Sequence, residues 1–399
     1  MKTELLAPAG NYSKFLTALH FGAGAAYIGG KSFSLRTFAD NFSAEELRLA
    51  TETAHSLGKK VYVTANIFAK NADFSALKDY FRYLEKIGAD AAIVSDPGVV
   101  YAAKQAAPGL ALHLSTQANT TNKYAVKFWQ EQGISRVILA RELSLREIAE
   151  IRDFAPEVEL EAFVHGAMCI SYSGRCLLSD YLDGRSSNRG ACVQACRWKY
   201  ELRALDPSGS ERGFLPIEED GRGTYLLNSK DLNMLSHLAE LEEAGVTSFK
   251  IEGRMKSEYY LATVINAYRR ALDGGAEPRL EKELSNVAHR EYTQGYAFGE
   301  NRETVNYADS QTKGDYTYIA NVLGGSEGFV EAEMRNRFRE GDTLEVLSPD
   351  DNFGKTFEAK EIFDEGGRRT ADAKLVQAKY KISCPYHLKK GDFLRRKNA

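Results

Sequence analysis

Over its first 270 residues the chain alternates short β-branched runs with amphipathic helical stretches, and few folds accept that pattern. The strand-like runs are Glu4–Ala7, Ala26–Gly29, Lys60–Ala65, Ala91–Ser95, Leu110–Ser115, Arg136–Leu139, Glu159–Val164 and Ser248–Glu252. Between them lie segments with apolar residues three and four apart, such as Tyr12–Phe21, Ala44–Leu57, Phe74–Ile87 and Lys123–Gln132. Ser43 with Glu46 and Ser144 with Glu147 have capping-box spacing, which places two helix starts. Gly22, Gly58, Gly88, Gly133 and Gly245 are placed to close helices before the next strand. Eight strand–helix units predict an α/β fold, a (β/α)8 TIM-like barrel, with a doubly wound open sheet as the alternative.

The last unit is interrupted. Residues 165–225 form an insertion with several glycines and little periodicity, and the usual pattern resumes over 228–244. A final helical stretch covers Glu258–Leu272. From residue 314 the character changes to strand-like runs at Tyr316–Leu323, Gly328–Met334, Asp342–Leu347, Thr356–Ile362 and Lys374–Ile382, separated by Gly, Asp and Asn turns. The expected organisation is a barrel over 1–275 carrying the insertion, a connecting segment over 276–313 and a small antiparallel β-barrel domain over 314–399.

Four of the five cysteines, Cys169, Cys176, Cys192 and Cys196, fall inside the insertion with the spacing C-x6-C-x15-C-x3-C. Such a group is a metal site in a reducing compartment or a pair of disulfides in an oxidising one. The N-terminus runs directly into a strand-like segment and no apolar run is long enough to span a bilayer, so a cytoplasmic protein with reduced thiols and no membrane partner is expected. Structural zinc favours tight C-x2-4-C pairs, and only Cys192 and Cys196 have that spacing. A 4Fe–4S cluster tolerates wider spacing, and zinc stands as the runner-up. The segment lies just past the seventh strand, at the end of the barrel where active sites are built.

The other strand ends carry polar residues that would share this face: Asn66, Asp96, Gln117 and Asn119, Arg141, His165, and Glu252 with Arg254, while Arg36 lies in the loop after the second strand. Any one of them is as readily a cap or an ion-pair partner, whereas the set together reads as a site. Arg36, Arg141, Lys250 and Arg254 are candidate anchors, since guanidinium forks suit bidentate binding of carboxylates. His165, four residues before the first cysteine, is a candidate proton donor or supporting hydrogen bonder.

The run Glu161-Ala-Phe163-Val-His165-Gly166-Ala-Met-Cys169-Ile-Ser-Tyr-Ser-Gly174-Arg-Cys176-Leu-Leu-Ser179 closely resembles the signature of the collagenase-like peptidase family, filed as peptidases of unknown catalytic type. The resemblance extends to Glu4-Leu-Leu-Ala-Pro-Ala-Gly10, Ser115-Thr-Gln117-Ala-Asn119, Asn228-Ser-Lys230-Asp231-Leu232 and Phe249-Lys250-Ile-Glu252-Gly253-Arg254-Met-Lys256. Members of this family include oxygen-independent hydroxylation proteins acting on the wobble uridine of tRNA, on ribosomal RNA or on the ubiquinone ring. The small C-terminal domain is similar to that of the tRNA branch. The resemblance therefore implies a 4Fe–4S cluster on the four cysteines and prephenate as co-substrate. It further implies the tRNA anticodon as partner, an electron donor, and hydroxylation at carbon 5 of uridine. On that reading His165, Arg141, Glu252 and Arg254 are the candidate catalytic residues, and Arg36, Asn66, Gln117, Asn119 and Lys250 the candidate substrate-binding ones. The alternatives are a collagenase-like peptidase and a ribosomal RNA hydroxylation protein.

The peptidase alternative lacks a recognisable nucleophile. No H-E-x-x-H is present, and the one G-x-S-x-G match, from Gly324 to Gly328, sits between two strand-like runs and reads as a hairpin turn. The net charge of −3 announces no nucleic-acid binder, but basic residues collect between Arg175 and Lys199 and from Lys381 to the C-terminus; each run reads either as solvated surface or as a phosphate-facing patch, and on the RNA reading the small domain and the C-terminal run are expected to grip the backbone. Cys384, alone in the small domain, reads as a buried apolar side chain.

Overall fold

The computed structural model describes residues 3–35, 40–169, 171–172, 175–198, 219–220, 223–224, 229–299, 314–326 and 328–398. Arg36, most of the second half of the insertion and the end of the 276–313 connecting segment lie outside the described residues. The chain divides into two compact units, Met1–Phe15, Gly24–Met255 and His289–Thr312 forming one, Leu16–Ala23, Lys256–Ala288 and Lys313–Ala399 the other.

The first unit is a closed parallel barrel. Its strands are β1 (Glu4–Pro8), β2 (Ala25–Gly29), β3 (Lys60–Ala65), β4 (Ala91–Val94), β5 (Leu112–Leu114), β6 (Arg136–Ile138), β7 (Glu159–Ala167) and β8 (Ser248–Ile251). Each pairs with the next through β7, and β8 closes the ring, with Phe249 opposite Leu5 of β1 on one side and Ala162 of β7 on the other. Closure decides against the open doubly wound sheet. Both capping boxes form: Ser43 caps helix Ala44–Ser56 and Ser144 caps helix Leu145–Phe154, each with its glutamate reaching back. Gly245 has φ +96°, and an added Cβ would lie 2.5 Å from the Arg152 side chain, so only glycine turns this corner into β8.

The barrel interior pairs small with large side chains. Ala25 and Ala91 leave room for Tyr27 and Tyr62, which pack with Leu6, Ile93, Ile138 and Phe163. The N-terminal end is polar instead. Arg136, 4% exposed, donates to Glu4 at 2.6 Å, Glu161 at 3.2 Å and Ser248 at 3.2 Å. Burial works to raise the Glu4 carboxyl, but the charge and hydrogen bonds of Arg136 outweigh it and hold the pKa below the ordinary value. His113 on β5 lies edge-on to Tyr62, 4.6 Å between ring centroids. Burial, with Arg136, Lys250 and Lys60 nearby, pushes its pKa well down.

Beyond the barrel β7 continues and pairs antiparallel with Asp231–Asn233, which runs parallel to Tyr292–Thr293. A strand thus opens the segment where the helical pattern was expected to resume, and only Leu238–Glu243 is α-helical there. Asp231 and Arg290 hold this extension by a buried ion pair.

In the second unit β9 (Tyr316–Ser326), β10 (Phe329–Met334), β11 (Thr343–Leu347), β12 (Lys379–Ser383) and β13 (Phe393–Lys397) form an antiparallel sheet, with the short strands Thr356–Glu358 and Ile362–Phe363 at its two edges. The sheet curls round its own core, which includes Ile319, Val330, Phe338, Leu344, Ile382 and Leu394. Its two edge strands lie in one short stretch of chain, Thr356–Phe363, which pairs with β11 at one end and with β12 at the other, so the expected small antiparallel domain is a curled sheet. The G-x-S-x-G match falls on the β9–β10 hairpin, where Ser326 pairs with Phe329. Cys384 is 2% exposed, and burial pushes its thiol pKa up. The basic terminus is a correction. Residues 393–397 form a central strand, in which Arg395 is 1% exposed and pairs with Glu283 and Glu345, while Arg396 pairs with Asp342. Two of the charges assigned to RNA contact are therefore neutralised inside this unit.

His113 gives the fold a defined acid sensitivity. Below the ordinary imidazole value of 6.5 the unfolded chain binds a proton at this residue that the folded chain refuses, so stability falls with pH down to the depressed folded value. His113→Phe is expected to flatten this part of the pH dependence, read as a smaller loss of Tm than wild type between pH 7 and pH 5, a window of about one to two pH units around the free imidazole value.

Candidate active site

Strand ends at the C-terminal mouth surround a cleft of about 530 Å3, its open mouth included. Asn66, Gln117, Arg141, Lys250, Glu252 and Arg254 all line it, so six of the nine non-cysteine candidates are brought together. Sequence reasoning missed Tyr27 and Phe163, which supply its aromatic wall. The signal was present, because strand alternation aims both inward from β2 and β7.

The cations in the cleft are in different states. Lys250 is 4% exposed, donates to Glu161 at 2.6 Å and lies 4.4 Å from the Tyr27 ring centroid. Its charge is neutralised from below. Arg254 is 3% exposed and donates to the Ser34 and Thr64 hydroxyls and the Asn41 amide oxygen. The backbone makes way for it, since a Cβ on Gly29 would lie 2.2 Å from the Arg254 guanidinium. Arg254 therefore works mainly as a wedge joining the loop after β2 to β8. Arg141 is the more available donor. Its guanidinium stacks 4.0 Å from the Phe163 ring centroid and donates once, to the Ala167 carbonyl at 3.1 Å. No carboxylate among the described residues claims the rest of its fork, which suits it to meet an anion.

The remaining candidates divide. Asn66 bridges two loops, donating to Ser115 at 3.3 Å and accepting from the Leu35 N–H at 3.4 Å. Glu252 is half-buried at the rim, its N–H bonded to the His165 carbonyl at 2.8 Å. Gly166, at φ +104°, lets the two chains approach, for a Cβ there would meet the Glu252 carbonyl at 2.6 Å. His165 is 1% exposed and does not line the cleft; its ring packs against Tyr292, 5.5 Å between centroids. The β7–β8 register shifts at Lys250/Ile251, and this irregularity turns the strand so that Phe163 faces the cleft and His165 the added strands. Asn119 also lies outside the lining; it ends the turn Thr116–Ala118 in a left-handed conformation with φ +58°. Asp96 is a cap, accepting the Val99 N–H at 3.0 Å.

The cysteine-bearing segment is fastened to the same loops. Arg175 donates to the Gln117 carbonyl at 3.2 Å, and Arg189 donates to the Phe68 carbonyl at 2.7 Å and pairs with Asp73. The Cys176 carbonyl accepts from Ser187 and Asn188. No cysteine is engaged in a disulfide. The Cys176 and Cys192 sulfurs each accept the backbone N–H two residues on, at 3.3 Å. Four thiols, two of them with amide support, are the right donors in kind for iron–sulfur or zinc. In this conformation, however, no three His, Cys, Asp or Glu side chains among the described residues are gathered as a metal site. The donor set fits a cluster in kind.

Gly29→Ala tests the wedge. The added methyl displaces the Arg254 guanidinium and should destabilise the protein by about 1–3 kcal/mol, measured by denaturant unfolding. An unchanged midpoint would mean that the guanidinium is not held there.

Comparison with known proteins now fits this geometry. Peptidase family U32 matches residues 10–307, and the peptidase family U32 C-terminal domain matches residues 314–395. The chain is 40% identical over 395 residues to tRNA hydroxylation protein P1 of Bacillus subtilis, covering 96% of this chain and 92% of that one. It is 39% identical to tRNA hydroxylation protein P of Escherichia coli, covering 90% and 89%. A 23S rRNA 5-hydroxycytidine synthase of Escherichia coli is 36% identical over 278 residues, covering 70% of this chain and 40% of that protein. The barrel that carries the cleft and the curled sheet that follows it are thus the two parts of one family architecture, and the chain belongs to peptidase family U32.

Proposed function

We propose that this chain is an enzyme that hydroxylates tRNA, adding oxygen at carbon 5 of the wobble uridine without molecular oxygen. The observation that carries the reading is the 40% identity over 96% of the chain to a tRNA hydroxylation protein. The cleft supports it. An aromatic wall of Tyr27 and Phe163 suits a base taken out of the anticodon stack. Arg141 offers an anion the donors that Lys250 and Arg254 have committed elsewhere, and prephenate is the proposed carboxylate co-substrate there. Glu252, at the rim, is placed to hold or move a proton.

Cys169, Cys176, Cys192 and Cys196 would hold a 4Fe–4S cluster, with zinc as the second possibility. Such a cluster supplies one-electron chemistry when bound, which calls for an external electron donor. The Arg175 and Arg189 attachments keep the cysteine segment beside the cleft whichever metal binds. A peptidase reading has no such support, since the G-x-S-x-G match is a hairpin. The proposed site of action is the cytoplasm; among the described residues no helix is long and apolar enough to cross a membrane.

Nucleoside mass spectrometry of tRNA from a deletion strain is expected to show loss of 5-hydroxyuridine derivatives, restored by wild type and not by Cys169→Ala. Unchanged derivatives in a strain lacking any parallel pathway would reject the reading. Protein purified anaerobically should absorb at about 400 nm; zinc alone on the thiols would replace the cluster in this account. Arg141→Gln should weaken prephenate binding by about tenfold or more, measured by calorimetry. Equal affinity would move the anion elsewhere.

A further inference from the structure

The loop after β5 is short of hydrogen-bond donors. Gln117 lines the cleft, yet its Oε1 is buried with no partner among the described residues. Two residues on, the Asn119 Oδ1 is likewise buried without a donor. The backbone beneath Gln117 is held from two sides: its N–H donates to the Ser115 hydroxyl at 3.3 Å, and its carbonyl accepts from Arg175 at 3.2 Å. A fixed loop therefore aims an unused carboxamide into a cleft that is otherwise bonded with care.

A buried acceptor left without a donor is costly, so what occupies the cleft should bring N–H or O–H groups to this side. A carboxylate cannot, because it only accepts. The cleft is thus chemically divided: Arg141 offers donors to an anion, and the Gln117 side offers acceptance to a ligand carrying its own donors. Among the parts of the ligand in the tRNA reading, on which this inference rests, the uracil imide has the matching edge. It presents an N–H flanked by two carbonyl oxygens, and a carboxamide meets that edge with two adjacent hydrogen bonds. Tyr27 and Phe163 add apolar edges to the same lining, one face of each ring being covered by Lys250 or Arg141.

We propose that Gln117 reads the imide edge of the target base, its Oε1 accepting the base N3–H and its Nε2 donating to a neighbouring carbonyl oxygen. Gln117 is on this account a specificity-determining residue, and the nucleoside and the anion occupy separate subsites of one cleft.

The test compares two anticodon stem-loop RNAs that differ only at the wobble base, uridine in one and N3-methyluridine in the other. The N3-methyl group removes the donor. Full-length protein, purified anaerobically, should bind the uridine RNA about tenfold more tightly than the methylated one. Gln117→Leu should lose most of that preference while its affinity for the methylated RNA is little changed. Equal binding of both RNAs by wild type would overturn the subsite, as would a preference that survives in Gln117→Leu; water alone would then satisfy the amide. The wild-type comparison needs no variant to fold. Should cells lacking the protein keep their hydroxylated tRNA, the tRNA reading itself falls. Should that hydroxylation depend on the protein while the preference is absent, only the role of Gln117 falls.

Discussion

The site depends on the seating of β8 between β1 and β7. This four-residue strand closes the ring, and its last turn of chain delivers Lys250, Glu252 and Arg254 to the mouth. Its register with β7 places Lys250 opposite Phe163 and then shifts by one residue. That irregularity separates two functions of one strand: Phe163 becomes a wall of the cleft, and His165 becomes part of the packing under the added strands. The sheet geometry, more than the identity of either residue, decides which one a ligand can meet.

Charge inside the barrel is organised in depth. At the N-terminal end Arg136 is surrounded by Glu4, Glu159 and Glu161, and Glu161 in turn neutralises Lys250 one layer higher. Each of these charges has an opposite partner, which limits the desolvation penalty that an isolated ion would suffer. Moving outward, Arg254 is bound by hydroxyls and an amide, and Arg141 keeps most of its donors. Cationic capacity thus increases toward the mouth.

Much of this was legible in the chain itself. The β-branched runs bounded by capping boxes and glycines located all eight strands, because each local signal agrees with the barrel that the strands build. Polar residues at strand ends located six cleft residues for the same reason. Two kinds of placement were not legible. His165 and Asn119 lie outside the cleft lining, beside a register shift and in a left-handed turn respectively, and neither feature has a residue signature strong enough to read. Arg395 and Arg396 were misread because a basic run looks solvated until Glu283, Glu345 and Asp342 are brought to it from elsewhere in the chain. Which donors a cation has left is likewise a property of the fold, so Arg36, Arg141, Lys250 and Arg254 could not be ranked from sequence.

The stacking of Arg141 on Phe163 has a thermodynamic consequence. A long cationic side chain ordinarily gives up much rotamer freedom when it grips a ligand. Here the ring and the Ala167 carbonyl already fix the plane of the guanidinium during folding. An anion bound there, as proposed, would find a rigid receptor and forfeit little entropy in ordering it, an advantage that a lysine at the same position, without a flat face to stack, would not reproduce.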